Sequence, residues 1–358
     1  MRAAVIGCGR MGAFPSEKVR RFAPPCWFPL SHAEAIQSHP ALELTALCDS
    51  NPQALERAAA HYGVRRTFGD HRRLLDEVRP ELLGIATRTV GRAALVRDAA
   101  ECGVRALHVE KPLCNSVREL EELSRTLASA GLFCTYGAIR RYFAIYEHAR
   151  ALAHSGSYGG LREVRVNMGA GTLYWTHPHS VDLILFAAGE RRVAAVQARL
   201  ANVVSGGSPL EISSDPVIES ASIYFEDGLA GHITQAPGCD FALSCSEGEV
   251  VVESDGRGIR VAARSGEDPY LTRAPYAAER AAGAAGEGTL APLSQLVGCL
   301  SGDAGACRLN QRVKAHILQG QRVLFALLQS HLENSRLVSP AQVDPALTVW
   351  GRTGENYA

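Results

Sequence analysis

Only three lysines occur in the chain, Lys18, Lys111 and Lys314, and every other basic position carries arginine. Arginine keeps its proton near neutral pH, whereas desolvation lowers the pKa of a lysine in a dry pocket. Lys111 follows the apolar run from Val104 to Val109, which reads as a buried strand opening into Glu110-Lys111-Pro112. At the carboxyl end of such a strand it is a candidate for chemistry by proton exchange. The competing reading is a surface lysine in a strand-to-helix turn.

A second candidate is Thr176-His177-Pro178-His179-Ser180-Val181-Asp182. Thr176 suits an N-cap and Pro178 the first turn, so a helix is expected to start here. His179 and Asp182 are three residues apart and share a face. The helix dipole disfavours an imidazolium, which keeps His179 neutral and able to accept a proton, with Asp182 placed to orient the ring. The alternative is a capping or packed histidine.

Elements must position these groups. Ala3 to Ile6 reads as a strand leading into Gly7-Cys8-Gly9-Arg10-Met11-Gly12. In this GxGxxG, Gly7 permits the tight turn, Gly9 admits a pyrophosphate to the backbone, and Gly12 allows close helix–strand packing. A second strand, Leu42 to Leu47, ends at Cys48-Asp49. An acidic residue there binds adenosine ribose hydroxyls and repels a 2′-phosphate, favouring NAD over NADP. Asp49 as a mere cap of the helix near Pro52 competes with this, although Asn51 suits that task. The spacing from Gly12 to Asp49 is long until residues 14–30 are set aside.

Pro15, Pro24, Pro25 and Pro29 forbid a continuous helix through 14–30, and Ser31-His32-Ala33-Glu34 has a capping-box pattern that starts one afresh. The segment reads as an insertion in the first crossover. It is expected to form an ordered flap on the active-site wall, or else a surface excursion packed on a neighbouring helix. Further strands are expected at Leu82 to Ala86, Val104 to Val109 and Leu132 to Tyr136, with helices between them, one starting at Ser116. This is the pattern of a doubly wound parallel sheet. After a helix from Tyr142 to His154 the texture changes. Leu161–Asn167, Val193–Val203, Val217–Phe225, Leu229–Thr234 and Glu249–Glu253 read as strands of a mainly antiparallel sheet. Asp227-Gly228 marks a hairpin, 281–288 a low-complexity loop, and Leu309 to Leu332 a closing helix.

These patterns give an α/β chain of two domains, a Rossmann domain over 1–140 and an α+β domain over 141–358 whose C-terminal helix and tail pack back on the body. With 358 residues, 46% hydrophobic and of zero formal net charge, the chain gives no sign of nucleic-acid or membrane binding. It begins directly with a strand, so a cytoplasmic protein is expected. Ten cysteines without a CxxC pair read as reduced residues, not disulfides or metal ligands.

Taken together, the chain resembles the Gfo/Idh/MocA family of nicotinamide-dependent sugar and cyclitol oxidoreductases. The resemblance rests on Gly7 to Gly12, His32-Ala33-Glu34-Ala35, Glu110-Lys111-Pro112, Arg140-Arg141-Tyr142 and His179 to Asp182. It implies NAD as cofactor, held by Gly7, Gly9, Arg10, Met11, Gly12, Asp49, Thr87, Glu110 and Lys111. It further implies a polyol bound by Lys111, Arg140, Arg141, Tyr174, Trp175 and His179. Lys111, His179 and Asp182 would be catalytic, with His179 the proton acceptor. A cis peptide at Lys111-Pro112 and a homodimer or homotetramer through the open C-terminal sheet are also implied. Three positions depart from the family: Trp175 stands in place of an aspartate, Arg88 of a proline and Ile139 of an asparagine. A sugar-sensing regulator without turnover and an NAD-dependent glycosidase are the competing functions.

Overall fold

A computed structural model describes residues 1–129, 131–266, 274–279 and 287–350. The expected loop at 281–288 falls outside them but for its last two residues. The first part of the chain runs β1 (Arg2–Ile6), α1 (Glu17–Phe22), α2 (His32–Ser38), β2 (Glu43–Cys48), α3 (Pro52–Tyr62), β3 (Arg66–Phe68), α4 (His71–Val78), β4 (Leu82–Ile85), α5 (Arg92–Glu101), β5 (Ala106–Val109), α6 (Val117–Ser129) and β6 (Phe133–Tyr136). Next come α7 (Ala144–His154), β7 (Leu161–Asn167), α8 (Pro178–Ala188), β8 (Val193–Ala201), β9 (Glu211–Ile212), β10 (Val217–Phe225) and β11 (Ala230–Thr234). The chain continues with β12 (Asp240–Cys245), β13 (Gly248–Glu253), β14 (Gly258–Ala263), β15 (Ala277–Glu279), α9 (Leu290–Leu300), α10 (Ala304–Leu332) and β16 (Thr348–Val349).

Two compact units result: Met1–Ile139 with Ala285–Leu318, and Arg140–Ala284 with Gln319–Arg352. The first holds a six-stranded sheet in the order β3-β2-β1-β4-β5-β6, every pair parallel. Its strands β4 and β5 are buried at every residue, as expected of a sheet covered on both faces. The order reverses between β1 and β4, and the crevice outside their carboxyl ends is where such sheets bind ligands. Helix α9, which sequence reading missed, brings Leu293 and Leu296 into the same core as Ala33, Ile36 and Ala106. Each buried leucine contributes about 2 kcal/mol.

Backbone hydrogen bonds define the insertion. Ala13 N donates to Gly9 O at 2.8 Å in helical fashion, and the helix resumes when His32 N donates to Met11 O at 2.8 Å and Ala33 N to Gly12 O at 2.9 Å. The intervening residues leave and return within one turn. The Ser31 hydroxyl accepts from Glu34 N, as the capping pattern implied. Within the excursion α1 is short, and Phe14 packs on His61 and Tyr62 of α3 under the Arg57 guanidinium. The exit from the excursion is tied down where Thr289 N donates to Pro29 O and the Thr289 hydroxyl to Leu30 O. These contacts are those of an excursion packed on its neighbours.

The second unit is built on an eight-stranded sheet in the order β15-β14-β13-β12-β7-β11-β10-β8. Only β7 and β11 pair in parallel among its described strands; the other pairs are antiparallel. Asp227-Gly228 makes the β10–β11 turn, with Gly228 at φ 90°. Strands β12 and β14 are additions to the sequence reading, and α10 begins five residues before the expected Leu309. Helix α8 lies on this sheet: a methyl group on Gly231 would overlap Ile184, so β11 needs glycine there for the helix to approach. Among the described residues no helix is long and apolar enough to cross a membrane.

Candidate active site

The glycine turn after β1 has the geometry its spacing implies. Gly7 adopts φ 97°, and a Cβ on it would lie 2.7 Å from the Ala86 carbonyl. A Cβ on Gly12 would overlap the Gly7 carbonyl oxygen, whereas one on Gly9 would meet nothing within 4 Å. The backbone is thus closed where the turn must pack and open where a pyrophosphate must approach. Asp49 stands at the rim. Its Oδ2 accepts from Cys8 N at 2.6 Å and its Oδ1 from Asn51 N at 2.8 Å. Asn51 is the N-cap of α3, accepting from Gln53 N and Ala54 N, so Asp49 is not needed for that task.

At the end of β4, the Thr87 hydroxyl oxygen is buried with no hydrogen-bond partner among the described residues. Such an atom costs stability unless a ligand or water satisfies it. At the end of β5, Glu110 N donates to Ile85 O, and the Lys111–Pro112 peptide is cis, as the resemblance implied. Lys111 is half-buried, and its backbone N donates to Glu110 Oε2 at 3.2 Å.

Glu110 itself points inward. Only 5% exposed, it meets His32 Nε2 through Oε1 at 3.3 Å. Burial pushes its carboxyl up, but the hydrogen bond and charge of His32, with Lys111 and His108 adding to them, bring it down to about 2. A Cβ on Gly137 would sit 2.7 Å from Glu110 Oε2, so this carboxylate has room only because a glycine follows β6. The His32 and His108 rings are 4.5 Å apart, and His108 Nδ1 pairs with the Thr135 hydroxyl at 2.9 Å. Glu110 therefore braces the loop from beneath. Sequence reading placed Glu110 among the cofactor contacts and gave His32 no role. It also missed Arg92, a fully buried cation among these strand ends.

In the second unit the N-cap of α8 is His177, not Thr176. Thr176 instead offers its carbonyl to His179 N at 3.3 Å. His177, which sequence reading passed over, is fully buried, with Nδ1 3.0 Å from the Ser180 hydroxyl and Nε2 3.2 Å from Gly171 O. Burial depresses its pKa to about 4, so the ring is neutral at physiological pH. His179 is half-buried in the first turn of the helix.

The neighbouring charges are spoken for in ways no spacing reveals. Asp182 faces Arg141: Arg141 Nη2 lies 2.7 Å from Oδ1 and Nε donates to Oδ2 at 2.8 Å. Arg140 makes a two-pronged pair with Asp255, at 2.6 and 3.0 Å, to which the Tyr146 hydroxyl adds a donor. Burial lowers the Arg140 pKa, but Asp255 outweighs it and the net shift is upward. The Tyr174 ring is in the core against Phe325, while Trp175 is half-buried. Both backbone amides are held by Asp215, at 2.8 Å for Tyr174 and 3.0 Å for Trp175. Arg140, Arg141, Tyr174 and Asp182 thus frame the region around α8, and Trp175 and His179 keep the more accessible side chains.

The glycine turn, the open backbone at Gly9, the Asp49 rim and the orphaned Thr87 hydroxyl fit a dinucleotide, and together they define a nucleotide-binding Rossmann domain. The resemblance read from the motifs holds: residues 1–138 match the Gfo/Idh/MocA family model, described as an oxidoreductase family with NAD-binding Rossmann fold. The chain is similar to a scyllo-inositol 2-dehydrogenase (NAD(+)) of Bacillus subtilis, at 25% identity over 44% of this chain and 42% of that protein. It is also similar to a D-apiose dehydrogenase of Rhizobium rhizogenes, at 24% identity over 44% of this chain and 41% of that one. The matched stretch is less than half the length of either relative. Over nearly the whole chain the fold is that of an inositol dehydrogenase homolog from Azotobacter vinelandii solved with NADH and myo-inositol. The TM-score is 0.72 at 16% identity, covering 95% of this chain and 97% of that one.

Proposed function

We propose that the protein is an NAD(H)-dependent oxidoreductase interconverting a secondary alcohol and a ketone on a sugar, a cyclitol or a derivative, amino- and nucleotide sugars included. One observation carries the reading. Lys111 stands at the carboxyl end of β5, next in the sheet to β4 with its orphaned Thr87 hydroxyl, and β4 in turn adjoins β1 with its glycine turn. A nicotinamide, when bound, supplies hydride transfer to or from a carbinol carbon. The chain's own residues must then handle the hydroxyl proton. His179 takes it in the oxidation direction, and the Lys111 ammonium stabilises the developing alkoxide. Asp182 acts through Arg141 to hold α8, and Trp175 is the first candidate to stack on the polyol. The relatives' substrates support the polyol class, and the family description supports NAD.

We further propose a cytoplasmic homodimer or homotetramer associating through the eight-stranded sheet. Among the described residues the cysteines form no disulfide, which accords with that compartment. The test of the activity is NADH absorbance with sugars, inositols and nucleotide sugars, on wild type and on Lys111→Ala and His179→Ala. Each variant is expected to lose at least about a hundredfold in turnover. Near-normal activity in either removes that residue from its role, and no oxidation of any polyol by wild type overturns the reading.

A further inference from the structure

Arg92, the first residue of α5, is 2% exposed, and its guanidinium donates to three backbone carbonyls. Nη1 donates to Glu110 O at 2.6 Å and also to Pro112 O, while Nη2 donates to Thr87 O. The carbonyls of residues 110 and 112 bracket Lys111, and that of residue 87 belongs to the neighbouring strand end. One cation therefore ties the β4 and β5 loops together. Water does not compete at so buried a site, and charge-assisted bonds of this kind are about twice as strong as neutral ones. Among the described residues Nε is buried without a hydrogen-bond partner, so the carbonyls of the two loops are what hold the side chain. Burial lowers its pKa, and the nearby Glu110 charge is foremost in opposing that fall. The planar fork suits three carbonyls in two directions, whereas a lysine ammonium reaches them only as a point charge.

We propose that Arg92 is a positioning residue that sets the direction of Lys111 and the placement of Thr87, so that its loss lowers turnover more than cofactor affinity. The proposal rests on the oxidoreductase reading for its effect on rate, but not for the clamp itself.

Two variants of the full chain test it. Arg92→Lys keeps the charge and the fold; Arg92→Ala opens a hole that guanidinium ion fits. Hydrogen exchange of the peptide over 107–114 reads the clamp without any turnover, and is expected to quicken at least about tenfold in both variants. NADH affinity, read by fluorescence, is expected to stay within about threefold while kcat falls about a hundredfold at little-changed KM, the scale of a small misplacement. Millimolar guanidinium is expected to restore part of the Arg92→Ala turnover. Unchanged exchange in Arg92→Lys overturns the clamp whatever the activity. Faster exchange with wild-type kcat in both variants overturns the positioning role, as does a loss confined to NADH affinity. If wild type oxidises no polyol, the oxidoreductase reading fails alone, and the exchange data still decide the clamp.

Discussion

Arg141 and Asp182 form a buried ion pair, Nη2 to Oδ1 at 2.7 Å, with the same guanidinium donating from Nη2 to the Asp182 backbone carbonyl at 3.1 Å. The pair fixes the first turns of α8 to the segment that follows the Rossmann strands. Removing one partner strands a charge in the interior, which typically costs about 3–5 kcal/mol. Asp182→Ala is therefore expected to lower the urea midpoint sharply, and Arg141→Met with Asp182→Leu much less. An unchanged midpoint in the single variant would show that the pair holds nothing.

His177 predicts a pH dependence of stability. Its folded pKa is depressed from 6.5 to about 4, so the neutral ring favours the folded state above pH 6.5. That contribution, about 3 kcal/mol, is lost as pH falls through the window from 6.5 to 4. Denaturant titrations across this range are expected to show the slope in wild type and a flatter one in His177→Asn. Equal slopes would mean the ring protonates without penalty.

Glu110 acts lower on the scale. Its carboxyl lies at about 2 against an ordinary 4.5, so its contribution is present above pH 4.5 and disappears towards pH 2, again about 3 kcal/mol in all. Glu110→Gln is expected to be less stable at neutral pH and to lack that acid slope. Gly137→Ala crowds the same carboxylate and is expected to cost about 1–3 kcal/mol by overpacking. Stability of Gly137→Ala equal to wild type would show that Glu110 has room to move.

Cofactor choice turns on Asp49, whose carboxylate is anchored by Cys8 N and Asn51 N at the rim of the glycine turn. Its charge repels a 2′-phosphate. Dissociation constants are expected to favour NAD(H) over NADP(H), and Asp49→Ser to narrow that preference at least about tenfold, or roughly 1.4 kcal/mol. Tighter NADP binding by wild type would refute the assignment.

The sequence by itself determined the parallel sheet of the first unit, the glycine turn and the chemical identity of Lys111 and His179. These are local matters: periodicity, turn chemistry and residue type act within a dozen positions, and Asp227-Gly228 or Ser31 to Glu34 carry their geometry in four residues or fewer. The insertion was legible for the same reason, because four prolines cannot continue a helix. Strands β12 and β14 were not legible, since their pattern is short and only pairing with β13 makes them strands. What the tertiary structure alone decided is which charges meet. Asp182 is three residues from His179 yet bonds Arg141, 41 residues away, and Arg92 finds carbonyls 18 and 20 residues on. A buried charge takes whichever partner best offsets its desolvation, and that partner is set by how the elements pack, not by nearness in the chain.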